Sequence, residues 1–279
     1  MMTNEVTVVK ASGEREPFSE AKLRSSLERA GTPPELMGLT IDHIRAELKD
    51  GMKTAEIYRH AFSFLRRHRR LSASRYSLKK AIMSLGPTGY PFEKLIGAVL
   101  SANGFSVEID QQVQGYCVSH EVDVVARKGK QRIIVESKYH NKPGYKTDVK
   151  VALYIKARFD DIKKRIQEED GDNNISEAWL ITNTRLSLDA IRFCECTGIK
   201  AIGWDYPEND GLQNLIESAG LHPLTSLTSL TGGQKKQLLR LGAVMCSDLT
   251  ENDRLFRSVG LTESKATRVL NEIASLCSK

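Results

Sequence analysis

The sequence predicts an α/β fold: a core running helix, three strands, helix, strand, helix, strand, flanked by a mostly helical N-terminal segment and an all-helical C-terminal one. Three observations carry this expectation. Strand-length apolar runs are concentrated between residues 105 and 204, where they alternate with helical periodicity. The breaker-rich stretch Leu85-Gly86-Pro87-Thr88-Gly89-Tyr90-Pro91 separates them from what precedes. From Leu221 onward no strand pattern recurs, only short helical repeats broken at Thr231-Gly232-Gly233, Leu241-Gly242 and Val259-Gly260. The expected domains are residues 1–88, 89–220 and 221–279.

The first segment opens with the short apolar stretch Val6-Thr7-Val8-Val9 and a turn at Ser12-Gly13. A helix is expected after Ser19, its N-cap, with Leu23 and Leu27 on one face and Gly31, Pro33 and Pro34 ending it. Two further helices follow from the spacing of Ile41, Ile44 and Leu48, and of Ile57, Ala61, Phe64 and Leu65. In the core, Phe92–Ala102 reads as a helix closed by Gly104, and Phe105–Ile109 as a strand. His120–Arg127 and Gln131–Tyr139 read as two strands joined at Lys128-Gly129-Lys130. Asp148–Glu169 is a long helix, Ala178–Thr182 and Lys200–Trp204 are strands, and Leu186–Cys196 is the helix between them.

Composition narrows the class. The 279 residues are 40% hydrophobic and 27% charged, an ordinary globular balance, and no apolar run approaches the ~20 residues that span a bilayer. The start, Met1-Met2-Thr3-Asn4-Glu5, lacks the basic and apolar pattern of a signal peptide. Five cysteines without a CxxC pair read as reduced thiols, so a cytoplasmic protein with no membrane contact is expected. The net charge of +6 suits a polyanionic partner.

The hairpin carries the chemistry. If its turn centres between Gly129 and Lys130, Asp123 and Glu136 face each other across the strands. Opposed carboxylates repel, and a divalent cation with oxygen ligands, Mg²⁺ or Mn²⁺, removes the objection. Lys138 shares a face with Glu136 by the two-residue period. All three interrupt apolar sequence, where an unpaired charge is costly. His120 and His140 are candidates for phosphate contact or for structural hydrogen bonds. Lys142, Lys146 and Lys150 form either a positive rim or a solvated helix end.

Asp123 followed by Glu136-Ser137-Lys138 resembles the signature of the PD-(D/E)xK nucleases, and the element order is similar to that of the Mrr-type restriction endonucleases. Val122 stands where the signature has proline. The resemblance implies a restriction-endonuclease-like core in which Asp123 and Glu136 hold Mg²⁺ and Lys138 assists the attacking water. It adds Glu93, in Pro91-Phe92-Glu93-Lys94-Leu95, as a further acidic residue from the preceding helix. The partner implied is DNA, with a second copy of the chain as an option because nucleases that cut both strands are often dimers.

Val8-Val9-Lys10-Ala11-Ser12-Gly13-Glu14-Arg15-Glu16-Pro17-Phe18-Ser19, Lys22-Leu23 and Asp50-Gly51-Met52-Lys53-Thr54-Ala55-Glu56-Ile57 together resemble the ATP-cone domain of ribonucleotide reductases. That resemblance implies ATP or dATP as an effector, held by Lys10, Glu16, Lys22 and Thr54. Ala11-Ser12 and Tyr58 depart from the family pattern. Arg66-Arg67-His68-Arg69-Arg70, with Arg75, is the densest basic cluster, suited to nucleic-acid or nucleotide phosphates or to a solvated helix end. Leu230–Gly242 resembles half of a helix-hairpin-helix repeat, with a looser copy at Val259–Ala266. It implies phosphate contacts from Lys235, Lys236 and Lys265, and a helical packing module is the equal alternative. Two functions remain open: a metal-dependent endodeoxyribonuclease regulated by ATP or dATP, or a non-catalytic nucleotide-sensing DNA-binding protein on a nuclease scaffold.

Overall fold

In the structure, a computed structural model, residues 6–169, 176–252 and 254–277 are described. The opening pentapeptide read for targeting lies outside them. The elements group into two units, one of Met1–Ile82 with His222–Lys279 and one of Met83–Leu221. The first and third sequence segments thus share a unit, and the second forms its own.

The first unit begins with β1 (Thr7–Val9), β2 (Arg15–Pro17), α1 (Glu20–Arg29), α2 (Pro34–Glu47), β3 (Met52–Lys53), α3 (Thr54–His68), α4 (Arg70–Tyr76) and α5 (Leu78–Ile82). Ser19 caps α1 as expected, its side chain accepting from the Lys22 N–H at 3.3 Å. The strands form a three-stranded sheet ordered β2-β1-β3, with β1–β2 antiparallel and β1–β3 parallel. Val8, Leu23, Leu27, Met37, Ile41, Ile44, Ile57, Ala61, Leu65 and Ala73 make the core under it.

The second unit contains α6 (Tyr90–Ala102), β4 (Ser106–Gln114), β5 (Ser119–Lys128), β6 (Gln131–Lys138), β7 (Lys146–Thr147), α7 (Val149–Glu169), β8 (Glu177–Thr182), β9 (Arg185–Leu186), α8 (Leu188–Thr197), β10 (Lys200–Ile202) and α9 (Leu212–Ala219). Its five-stranded sheet is ordered β10-β8-β6-β5-β4. β4, β5 and β6 run antiparallel, and β8 and β10 add in parallel. This is a mixed α/β architecture. α6 lies against β4 so closely that a Cβ on Gly97 would sit 2.9 Å from Ile109 Cδ1. α7 and α8 cover the face that carries Val125, Ile134 and Leu180. β4 extends past the expected end at Ile109 to Gln114. It does so through Asp110, whose φ of +56° is a left-handed conformation uncommon for a residue with a side chain. The ladder with β5 skips that one position, pairing Ile109 with Val124 and Gln111 with Val122. No described helix is long and apolar enough to cross a membrane.

The chain returns to the first unit with the short 3₁₀ turn Leu224–Ser226, then α10 (Gly232–Arg240), α11 (Cys246–Glu251), α12 (Arg254–Ser258) and α13 (Glu263–Cys277). Thr231 and Gln234 form a reciprocal capping box at the start of α10. Leu224, Leu227, Leu238, Val269 and Ile273 anchor this apolar cluster. His222 is 4% exposed and its Nδ1 has no hydrogen-bond partner. Burial, with the nearby Arg75 charge, pushes its pKa down to about 4. A depressed folded-state pKa means that this contribution is complete above the unfolded value of about 6.5 and is lost as pH falls through about 4. Wild type should therefore lose about 3 kcal/mol relative to His222→Leu between pH 7 and pH 4. Urea unfolding of both proteins at the two pH values checks this, and parallel losses would remove His222 as the cause.

Candidate active site

β5 and β6 are joined by the two-residue turn Gly129-Lys130, which pairs Lys128 with Gln131 and carries the register through to Val124 opposite Val135. One step further, Asp123 stands opposite Glu136. There the ladder gives way: Asp123 Oδ2 accepts from the Ser137 backbone N–H at 2.6 Å. A side-chain carboxylate thus takes over where the strands part.

Glu93, Asp123, Glu136 and Lys138 line one cavity of about 470 Å³, together with Ser137, His140 and Lys142. Glu93 comes from the first turn of α6 and Lys138 from the exposed end of β6. The negative charges perturb one another. Burial, then Glu136, raise Asp123 to about 6, against the opposing hydrogen bond from Ser137. Burial, then the charges of Asp123, Asp110, Glu121 and Glu136, raise Glu93 to about 7. Carboxylates that repel one another inside a cleft are hard oxygen donors in want of a cation, so the donor set fits Mg²⁺ or Mn²⁺. Each facing carboxylate commits one oxygen, Asp123 Oδ2 to Ser137 and Glu136 Oε2 to Arg158. Among the described residues, no three His, Cys, Asp or Glu side chains are clustered as a preformed ion site.

Two contributors escape the sequence reading. Arg158 on α7 donates through Nη1 to Glu136 Oε2 at 2.6 Å and through Nη2 to Tyr154 Oη at 2.9 Å, and its guanidinium lies 4.6 Å from the Tyr154 ring centre. The i, i+4 spacing of Tyr154 and Arg158 was the one available signal. Asp110 adds negative charge beside Glu93. It falls just beyond the strand that periodicity marks out.

Both histidines have structural partners. His120 Nε2 lies 2.7 Å from Asp161 Oδ2, and Asp161 also accepts from the Cys117 backbone at 2.8 Å. His140 Nε2 lies 3.1 Å from Thr147 Oγ1, and its backbone exchanges hydrogen bonds with the Asn183 side chain.

In the first unit, three of the four nucleotide-site candidates are in contact. Glu16 Oε2 lies 2.8 Å from Lys10 Nζ and 3.0 Å from Lys22 Nζ. The two ammoniums hold the Glu16 carboxyl below its ordinary pKa. Thr54 begins α3 directly after Lys53, which pairs with Val9, so it leaves the sheet beside Lys10. Of the helix-hairpin-helix candidates, Lys236 and Lys265 are exposed. Lys235 instead turns inward to donate to the Thr225 carbonyl at 2.7 Å, and burial lowers its pKa.

Comparison with known proteins places this arrangement among uncharacterized relatives. Residues 222–277 match the family model described as AF1548-like, C-terminal. An uncharacterized protein of Archaeoglobus fulgidus is 38% identical over 175 residues, which is 62% of this chain and 95% of the relative. The crystal structure of AF1548, a protein of unknown function, matches with a TM-score of 0.55 at 34% identity, over 68% of this chain and 98% of that one.

Proposed function

The chain belongs to the AF1548-like family, and from the cleft residues we propose that it is a metal-dependent endodeoxyribonuclease of the PD-(D/E)xK type, hydrolysing DNA phosphodiester bonds and responding to ATP or dATP. The observation that carries the reading is the convergence of Glu93, Asp123, Glu136 and Lys138 on one cleft, with Glu93 and Asp123 raised first by burial and then by their neighbours' charge. Asp123 and Glu136 would hold the cation, with Glu93 beside them. When bound, the cation supplies Lewis-acid polarisation of a phosphoryl oxygen and of the attacking water. Lys138, exposed at the rim, orients that water and offsets charge developing at the phosphorus. Arg158 holds Glu136 in place through Oε2. The test is nicking of supercoiled plasmid with Mg²⁺ or Mn²⁺. Absence of cleavage of every DNA form, with metal and nucleotide present, would sink the reading.

The resemblance of most of residues 5–85 to the ATP-cone domain, in a sequence without a Walker A loop, supports an effector rather than a fuel. Lys10 and Lys22 are the phosphate ligands, and Glu16, now paired with both, becomes the acceptor for base or ribose when phosphate takes the lysines. ATP or dATP at a hundredfold excess over its dissociation constant is expected to stabilise this unit by about 2.7 kcal/mol. A thermal-unfolding shift in wild type that disappears in Lys10→Ala checks this. A second reading, a non-catalytic nucleotide-sensing DNA-binding protein on the same scaffold, draws on the Glu136–Arg158 ion pair, which neutralises one of the carboxylates.

A further inference from the structure

α3 carries its side chains in rows of i, i+4 neighbours. Ile57, Ala61 and Leu65 face the core and are buried. Tyr58 stacks on Phe62 and on Tyr76. The two remaining rows lie side by side. One, after Glu56 in the first turn, is His60, Phe64 and His68, all rings; the other, after Ala55, is Arg59, Ser63 and Arg67, two cations around a small hydroxyl.

α2 packs on α3 and contributes His43 to the ring row. Its ring stacks on Phe64 at 4.8 Å and 22°, and Phe64 stacks on His68 at 4.2 Å and 26°. His60 stands tilted to His43, 6.2 Å away at 47°. A cavity of about 320 Å³ opens here, lined by His43, Arg59, His60, Ser63, Phe64 and Arg67. No carboxylate is among those residues, and the Arg59–Glu56 pair is loose at 3.9 Å. Arg66, Arg69 and Arg70, all exposed, extend the positive charge from the end of α3.

A solvated helix end accounts for the arginines. It does not account for a column of rings held at the surface beside them. A row of flat faces beside a row of cations matches a ligand that alternates flat heterocycles with phosphates. A duplex keeps its base faces stacked inside and offers only the phosphates, so the ring row would be idle against it.

We propose that this pocket binds single-stranded DNA, with one base against the His43 and His60 rings and the flanking phosphates on Arg59 and Arg67. The site is independent of cleavage chemistry and of the Lys10–Glu16–Lys22 cluster.

The test is fluorescence anisotropy on the full chain in EDTA, so that no cleavage occurs. The probes are a labelled oligothymidylate, an abasic strand of equal length, the matching RNA and the duplex. His43→Ala and His60→Ala should each weaken oligothymidylate binding about tenfold and leave the abasic strand unchanged. Arg59→Ala and Arg67→Ala should weaken both strands and each reduce the slope of log K against log salt by about 0.7. Circular dichroism and unfolding midpoints establish that the variants are folded. Equal affinity for abasic and base-bearing strands, equal affinity for duplex, tenfold tighter binding of the RNA, or wild-type binding by folded variants would each overturn the proposal. Failure of plasmid nicking alongside intact oligothymidylate binding would count against the nuclease reading alone.

Discussion

Alanine in place of Asp123 or Lys138 is expected to lower plasmid nicking by about a thousandfold or more, the loss typical of removing a group that acts on the reacting atoms. The two variants fail for different reasons. Lys138 is exposed at the end of β6, so its replacement leaves the fold unchanged and removes only a cation from the cleft. Asp123 also holds the Ser137 N–H at 2.6 Å, so alanine there frees a buried backbone donor as well. Asp123→Asn separates the two effects, because its amide oxygen can still accept from Ser137. The pKa of Asp123 is raised to about 6 in the folded state, above its unfolded value of about 3.9. The stability linked to this group is therefore complete below pH 3.9 and is lost as pH rises through about 6. At pH 8, Asp123→Asn should be inactive yet unfold at a higher temperature than metal-free wild type, and Mg²⁺ should raise the wild-type midpoint but not that of the variant. Nicking by both alanine variants at the wild-type rate would dismiss the site.

Glu272→Ala should cost about 3 kcal/mol of the first unit's stability. Glu272 projects from α13, and its Oε1 accepts from Ser74 Oγ at 2.9 Å, from the Thr228 N–H at 2.6 Å and from Thr228 Oγ1 at 2.8 Å. Its Oε2 accepts from the Ser229 N–H at 2.9 Å. Burial works to raise its pKa, but the hydrogen bonds from Ser229, Thr228 and Ser74 outweigh it and the net shift is downward. The ionised form is thus the one the fold is built around. Alanine leaves two backbone donors and two hydroxyls without an acceptor. Glutamine restores one acceptor but turns an NH₂ group toward a donor, so it should recover about 1 kcal/mol of the loss. Because the folded pKa is depressed, the contribution is present above the unfolded value near 4.3 and fades as pH falls below it. Urea unfolding at pH 7 and pH 3 measures both effects. A cost under about 1 kcal/mol at pH 7 would mean that water replaces the carboxylate.

Local chemistry was legible wherever a short-range rule decides the outcome. The Gly129-Lys130 turn sets the pairing of Lys128 with Gln131, and simple counting then brings Asp123 to Glu136. Ser19 as an N-cap, and the repeats of Leu23 with Leu27 and of Ile57, Ala61 and Leu65, mark helix starts and buried faces directly. What escaped depends on contacts between distant residues. Arg158 reads as one more charge on a long helix until α7 is laid across the sheet and meets Glu136. Asp110 looks like the end of a strand, because a left-handed residue inside a ladder carries no periodic signature. Lys235 looks like a phosphate ligand because its motif does not reveal that the Thr225 carbonyl lies within reach. Nor does any local pattern announce that the last 58 residues, from His222 on, complete the unit begun by the first 82.

That discontinuity has a kinetic consequence. The bond from Ser74 to Glu272 joins residues 198 positions apart, and that from Thr225 to the Ala81 carbonyl spans 144. The cost of closing such a loop grows only as the logarithm of its length, but the contact cannot form before its second partner is synthesised. Residues 83–221 are contiguous and can collapse while the ribosome is still working. The N-terminal half of the other unit must wait with its α4 surface uncovered until the residues from His222 to α13 have been made. A chain ended at Leu221 should then be cut by protease within its first 82 residues while residues 83–221 resist.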